Sequence, residues 1–157
     1  MLDTWRYHMT RRSAVNIEIA ESDAEISACY PVMHELRPHI GETEFLTRVR
    51  RLQQGGYRLV CLRVDEAPVA VAGMRIGENL AWGRFLYVDD LVTAERHRSK
   101  GYGQALLEWI KHYAEEARCG EIHLDSGLQR QDAHRFYERE GVAKTGFHFA
   151  VSVHRAE

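Results

Sequence analysis

The chain is short of the features that would tie it together covalently or fix it to a membrane. Its three cysteines, Cys29, Cys61 and Cys119, are odd in number, far apart and without a CxxC pair. That usage fits a reducing compartment better than a disulfide framework. No stretch approaches the roughly 20 apolar residues of a membrane span, and the opening MLDTWRYHMTRR lacks the apolar core of a signal peptide. The expectation is a soluble cytoplasmic protein with no membrane partner. Excess positive charge is also missing, since 21 Lys and Arg stand against 23 Asp and Glu for a net charge of -2, which argues against a nucleic-acid partner. No internal repeat, low-complexity segment or Gly/Ser/Pro-rich linker divides the 157 residues. Residues 15–157 are therefore expected to form one domain with a single core, behind a polar extension over 1–14.

What is there alternates between two periods. VNIEIA reads as a strand, and SDAE (Ser22 to Glu25) has capping-box spacing before Ile26, Cys29, Tyr30, Met33 and Leu36, with Pro31 a kink or restart in that helix. Phe45, Val49 and Leu52 predict a second helix over 42–54 that Gly55 and Gly56 stop. YRLVCLRV and VAVAGMRI, joined by DEAP, and LAWGRFLYVDDLVT after GEN predict an antiparallel meander. From Gly103, the positions Leu106, Ile110, Tyr113, Ala114 and Ala117 predict a helix with Gly120 as its stop. EIHLD reads as a short buried strand, Asp132 as the cap of a brief helix that Gly141 ends, and AKTGFHFAVSVH as terminal strand material.

The stretch ERHRSKGYGQALLEW, from Glu95 to Trp109, raises a chemical question. Strand, basic turn, GxG and helix place several backbone N–H groups and the positive end of a helix dipole around one point, where an anion is favoured. Two glycines let a ligand approach the backbone, and Arg96, Arg98 and Lys100 add charge. On spacing alone this is either a phosphate cradle or a helix start with a solvated basic face. A Walker A loop is excluded because Lys100 precedes its glycine. A Rossmann fingerprint needs a small residue where Leu106 stands, and it would not follow a meander.

RSKGYG (Arg98 to Gly103) resembles the [RQ]xxGx[GA] signature of the GNAT superfamily of acyl-CoA-dependent N-acyltransferases, and DAHRFYEREG (Asp132 to Gly141) resembles that family's second segment, AxxFYxxxG. The two lie one helix and one strand apart, in the family's order, so the resemblance covers nearly everything from Val15 onward. It implies an α/β (α+β) fold with a mixed, mostly antiparallel sheet flanked by helices, whose central parallel strands splay apart. It also implies acetyl-CoA as the acyl-donor cosubstrate. By that resemblance the pyrophosphate is bound at Arg98, Ser99, Lys100, Gly101, Tyr102, Gly103 and Gln104, chiefly through backbone N–H groups. Leu91, Val92 and Thr93 would hydrogen-bond the pantetheine arm and acyl carbonyl, and EIHLD would be the splayed partner strand. Arg130 stands where many members carry Asn, three positions before Ala133, so that side-chain contact is not implied here. Edge-strand dimers are common in the family, which puts a homodimer among the implied assemblies.

Acyl transfer to an amine poses two proton problems. At pH 7 an alkylammonium with pKa near 10.4 is deprotonated in only about one molecule in two to three thousand, a handicap of roughly 4.6 kcal/mol, so a base must help. YVDDLV supplies Asp89 and Asp90, and strand alternation lets only one of them face the acceptor directly. The polyamine-acetylating branch of the superfamily has a similar acidic pair whose first acid is placed as base. That favours Asp89, which otherwise would bind a cationic substrate or pair with an arginine. The acids lean the reading toward a cationic amine acceptor, on a small molecule or a peptide. The second problem is the departing sulfur, for which Tyr137, at the family's tyrosine, is the candidate acid. The segment LRPHIGETEF, from Leu36 to Phe45, would shape the acceptor site without defining a substrate. None of the nine histidines shows zinc-site spacing, His123 with Asp125 included, so no metal is expected. The alternatives are a coenzyme A sensor without turnover and a dinucleotide-dependent oxidoreductase.

Overall fold

The computed structural model describes residues 5–7, as backbone, and 14–153. The chain falls into two compact units, Met1–Leu124 and Asp125–Glu157. The first contains β1 (Trp5–Tyr7), β2 (Val15–Ile19), α1 (Asp23–Ala28), α2 (Tyr30–Leu36), α3 (Glu42–Gln54), β3 (Arg58–Val64), β4 (Ala67–Asn79), β5 (Gly83–Thr93), a 3₁₀ turn (Glu95–His97), α4 (Tyr102–Glu116) and β6 (Glu121–Leu124). The second contains α5 (Gln131–Arg139). One six-stranded sheet runs β1 to β6 in sequence order. All neighbours are antiparallel except β5 and β6, whose parallel ladder runs from Phe85↔Glu121 to Val88↔Leu124.

The local signals explain most of these boundaries. The Ser22 side chain accepts the Glu25 N–H and Glu25 accepts the Ser22 N–H, which closes the capping box of α1. The helix restarts at Tyr30 with Pro31 in the first turn of α2, where a missing backbone donor costs nothing. Past α3 the N–H of Tyr57 returns to the Leu52 carbonyl and that of Gly56, at φ 93°, to Gln53, so the GG pair turns the chain directly into β3.

Several expectations shift. The polar lead-in contains β1, paired with β2. GEN belongs to β4, and the turn is Leu80–Trp82, held by the Trp82 N–H on Asn79 Oδ1 at 2.7 Å. The stop of α4 is Arg118 at φ 59°, not Gly120. The Cys119 N–H reaches the Ala114 carbonyl there, and Gly120 instead starts β6 by donating to the Arg84 carbonyl.

Two apolar clusters cover opposite faces of the sheet. Leu106, Ile110 and Ala114 of α4 pack with Val60, Leu62, Leu86 and Val88. Ile26, Val32, Met33, Phe45 and Val49 of the first three helices pack with Leu59, Cys61, Val71 and Val92. Each of these larger side chains contributes about 1.5–3 kcal/mol by leaving water.

In the second unit, Arg130 rather than Asp132 occupies the cap position of α5, with no side-chain cap; Asp132 lies in the first turn and pairs with Arg135. Gly141 ends the helix as expected, at φ 81°, with the Val142 N–H on the Tyr137 carbonyl. The expected terminal strand does not form over 143–153. Its alternating Phe147, Phe149, Val151 and Val153 are exposed, and without a ladder partner such a run has nothing to pair with. His154 lies outside the described residues.

Candidate active site

The site begins as a defect in a ladder. Between β4 and β5, Met74 pairs with Val88 but Gly73 pairs with Asp90, which leaves Asp89 as an extra, unpaired residue. A bulge of this kind breaks the alternation of side chains and re-aims them. Gly73 and Arg75 are two apart on β4 and share a face. Asp90 lies against Gly73 and Asp89 bonds Arg75, so both acids are presented on that one face. The expectation that only one of them can face the acceptor is thereby corrected, because the bulge cancels the period of two.

Each acid has its own partners. Asp90 Oδ1 accepts Arg37 Nε at 2.9 Å and Oδ2 accepts the Tyr57 hydroxyl at 2.8 Å. Its side chain is only 14% exposed. Asp89 accepts Arg75 Nε at 3.0 Å, while its backbone carbonyl accepts Arg37 Nη2 at 3.0 Å. Burial pushes the Asp89 carboxyl above the usual aspartate range against the pull of Arg75, and the neighbouring Asp90 charge adds to the rise. Burial, then the Asp90 carboxylate, pushes the Tyr57 phenol well above its ordinary value, so it stays a donor. Two carboxylates facing two guanidiniums sum to zero. The pair expected to attract a cationic amine is internally neutralised.

Tyr57 and Arg75 were not singled out from sequence, and Arg37 had no role there. Their partners lie 33, 14 and 53 positions away, and only the sheet brings them together. Arg37 caps the end of α2, in the segment expected to shape the acceptor site.

Beyond Val88 the β5–β6 ladder stops, whereas β5 continues through Asp89 to Thr93. On the other side Leu91, Val92 and Thr93 stay paired with Ala72, Val71 and Ala70. The far edge of this end of β5 therefore has backbone groups outside any ladder, as the splayed arrangement requires. Val92 is buried, while Leu91 and Thr93 are partly exposed.

After the 3₁₀ turn, the chain takes two left-handed steps, at Ser99 (φ 61°) and Gly101 (φ 85°), before α4 begins at Tyr102. Gly101 is the cap residue and no side chain caps the helix. The first N–H groups of α4 are thus left for a ligand, with Arg98, Lys100 and Ser99 exposed beside them. This geometry fits a pyrophosphate. Tyr102 and Gly103 are partly buried and Gln104 is exposed in that first turn.

Tyr137 is buried on α5, and burial raises its phenol above the ordinary value while Arg130 pulls the other way. The proton is held across neutral pH. The His123 ring stacks on Trp82 at 3.6 Å and its Nε2 lies 2.7 Å from Glu121, whereas Asp125 pairs with His148. Among the described residues no three His, Cys, Asp or Glu side chains gather as a metal site would need. None of the described helices is long and apolar enough to cross a membrane.

The family model described as "Acetyltransferase (GNAT) family" matches residues 21–142. The chain belongs to the GNAT family. As a GNAT acetyltransferase it transfers acetyl groups to amines, with acyl-CoA as the donor the family uses. It is 37% identical over 124 residues to an uncharacterised N-acetyltransferase, YhdJ, of Bacillus subtilis (strain 168), which covers 78% of this chain and 87% of that protein. It is 36% identical over 66 residues, 42% of this chain and 43% of the other, to an aminoalkylphosphonate N-acetyltransferase of Salmonella typhimurium (strain LT2). The fold matches a putative acetyltransferase from Agrobacterium tumefaciens str. C58 with a TM-score of 0.75, at 22% identity over 87% of this chain and 99% of that one. It also matches the aminoglycoside N-acetyltransferase AAC(6')-Iy, solved in complex with CoA, with a TM-score of 0.80 at 13% identity over 95% and 100%.

Proposed function

We propose that this GNAT acetyltransferase moves the acetyl group of acetyl-CoA directly onto a primary amine of a small molecule or peptide, with Asp89 as base and Tyr137 as acid. The observation that carries the reading is Asp89 itself. It is the unpaired residue of the bulge, its carboxyl is raised above the ordinary range, and its side chain is 30% exposed. Asp90 is tied to Tyr57 and Arg37 and serves to hold the bulge. Acetyl-CoA supplies the acetyl group as a thioester. Arg98, Ser99, Lys100, Gly101, Tyr102, Gly103 and Gln104 hold its pyrophosphate, and Leu91, Val92 and Thr93 its pantetheine arm.

In this reading the Asp89 carboxylate takes a proton from the acceptor ammonium, which offsets part of the roughly 4.6 kcal/mol that deprotonation costs at pH 7. Tyr137, kept protonated by burial, gives its hydroxyl proton to the departing sulfur. Residues 15–157 act as one catalytic domain. A relative's named acceptor, an aminoalkylphosphonate, supports a small-molecule amine. The test is acetyl transfer across a panel of amines in the wild type and in Asp89→Asn. Transfer to no amine, with acetyl-CoA bound, would overturn the reading.

A further inference from the structure

We propose that Arg75, with Arg37 beside the same bulge, makes this enzyme select acceptors that carry an anionic oxyacid group a few bonds from the reacting amine. The inference rests on the reading of Asp89 as the place where the amine is received.

Arg75 spends one nitrogen on the protein. Its Nε lies 3.0 and 3.2 Å from the two Asp89 oxygens, and its terminal nitrogens make no hydrogen bond among the described residues. The guanidinium lies over the Tyr87 ring, 4.8 Å from its centroid, which fixes its plane, and the side chain is 45% exposed. A flat, anchored fork whose two terminal nitrogens form one outer N–H edge is the arrangement that binds a carboxylate or phosphate in bidentate fashion. Arg37 has less to offer: Nε is on Asp90 and Nη2 on the Asp89 carbonyl, and only Nη1 makes no hydrogen bond among the described residues.

Charge points the same way. Asp89, Asp90, Arg37 and Arg75 sum to zero, so a polycation finds no excess of negative charge here. A molecule with one ammonium and one oxyacid group matches the site group for group. Its ammonium meets the Asp89 carboxylate and its anion meets the outer fork of Arg75. Because Arg75 Nε and Asp89 are in direct contact, the two groups of the acceptor must be only a few bonds apart. A simple surface ion pair would predict none of this selectivity.

The experiment is calorimetric binding of four amines to the protein with coenzyme A present: β-alanine, O-phosphoethanolamine, n-propylamine and 1,3-diaminopropane. In the wild type the two acid-bearing amines should bind at least tenfold more tightly than n-propylamine, and the stronger of the two identifies carboxylate or phosphate. Arg75→Gln should bring all four within about threefold, and Arg75→Lys, which keeps the charge but not the fork, should recover part of the preference. Thermal melts show that each variant is folded. Equal binding of all four by the wild type, tightest binding of the diamine, or an undiminished preference in Arg75→Gln would overturn the inference. The base assignment fails separately: preference for acid-bearing amines together with unchanged turnover in Asp89→Asn would remove Asp89 as base and leave Arg75 as the selector.

Discussion

The Tyr57 hydroxyl donates to Asp90 Oδ2 at 2.8 Å across a point on β4 that has no side chain, Gly73. A Cβ at that position would collide with both the hydroxyl and the carboxylate. Gly73 is thus a close-approach glycine that lets a tyrosine leaving α3 reach the bulge. Gly73→Ala should destabilise by about 1–3 kcal/mol, as overpacking does. At roughly 2–4 °C per kcal/mol for a chain of this size, the thermal midpoint should fall by several degrees. Tyr57→Phe, which leaves a mostly buried carboxylate one donor short, should cost about 1–3 kcal/mol. Because both variants break one contact, the double variant should lose less than the sum. An unchanged midpoint in Gly73→Ala would show that the sheet gives way there instead.

As the proposed base, Asp89 should set the acid limb of the pH profile. A base must be charged to accept a proton, so activity is present above its pKa and is lost as pH falls through it. Since burial raises that pKa, the limb in kcat/KM should lie above the ordinary aspartate value of about 3.9. Asp89→Asn should remove the limb and lower kcat by about 10²–10⁴-fold, the usual worth of a positioned base. Arg75 opposes the rise, so Arg75→Gln should move the limb to still higher pH. An acid limb that survives unchanged in Asp89→Asn belongs to another group.

The order of elements from β2 to α5 and both motifs could be read from local patterns, because caps, glycine stops and periodicity act over a few residues. The Ser22–Glu25 capping box, the Pro31 restart and the Gly55–Gly56 stop are all of that kind. The acidic pair was visible as YVDDLV, but its geometry was not. Alternation separates neighbours, and only the register of β4, in which Gly73 pairs with Asp90 and Met74 with Val88, reveals the extra residue. The arginine partners were hidden for the same reason, since a helix end at Arg37 and a strand position at Arg75 meet only in the folded sheet. The helix stop at Arg118 defeated the glycine rule, because an arginine there accepts a left-handed backbone that the rule reserves for Gly120.

The loop before α4 separates backbone from charge. Gly101 holds φ 85° at the cap position, a conformation that costs a residue with a Cβ roughly 1–2 kcal/mol. Gly101→Val would also place a side chain beside the uncapped N–H groups. It should weaken acetyl-CoA binding by tenfold or more in a calorimetric titration. Arg96→Ala removes one exposed charge from the 3₁₀ turn and should change the affinity by less than threefold, with the loss shrinking further in high salt. The reverse ranking would mean that side-chain charge, not the backbone, holds the pyrophosphate.

Replacing Tyr137 tests whether it acts as the proposed acid on the leaving sulfur or only packs in α5. The phenol is buried and its proton is retained at neutral pH, so removing the hydroxyl removes a donor while leaving the ring and its packing. Tyr137→Phe should therefore keep the affinity for acetyl-CoA within about twofold and lower kcat by about 10²-fold or more, the lower end of what a positioned acid contributes. A thiolate of pKa near 8.5 leaves with less help than an alkoxide would, so the loss should shrink when the donor thiol is made more acidic. Poorer thioesters should suffer more from the substitution than activated ones. If all donors slow by the same factor, Tyr137 positions the helix and does not protonate the sulfur.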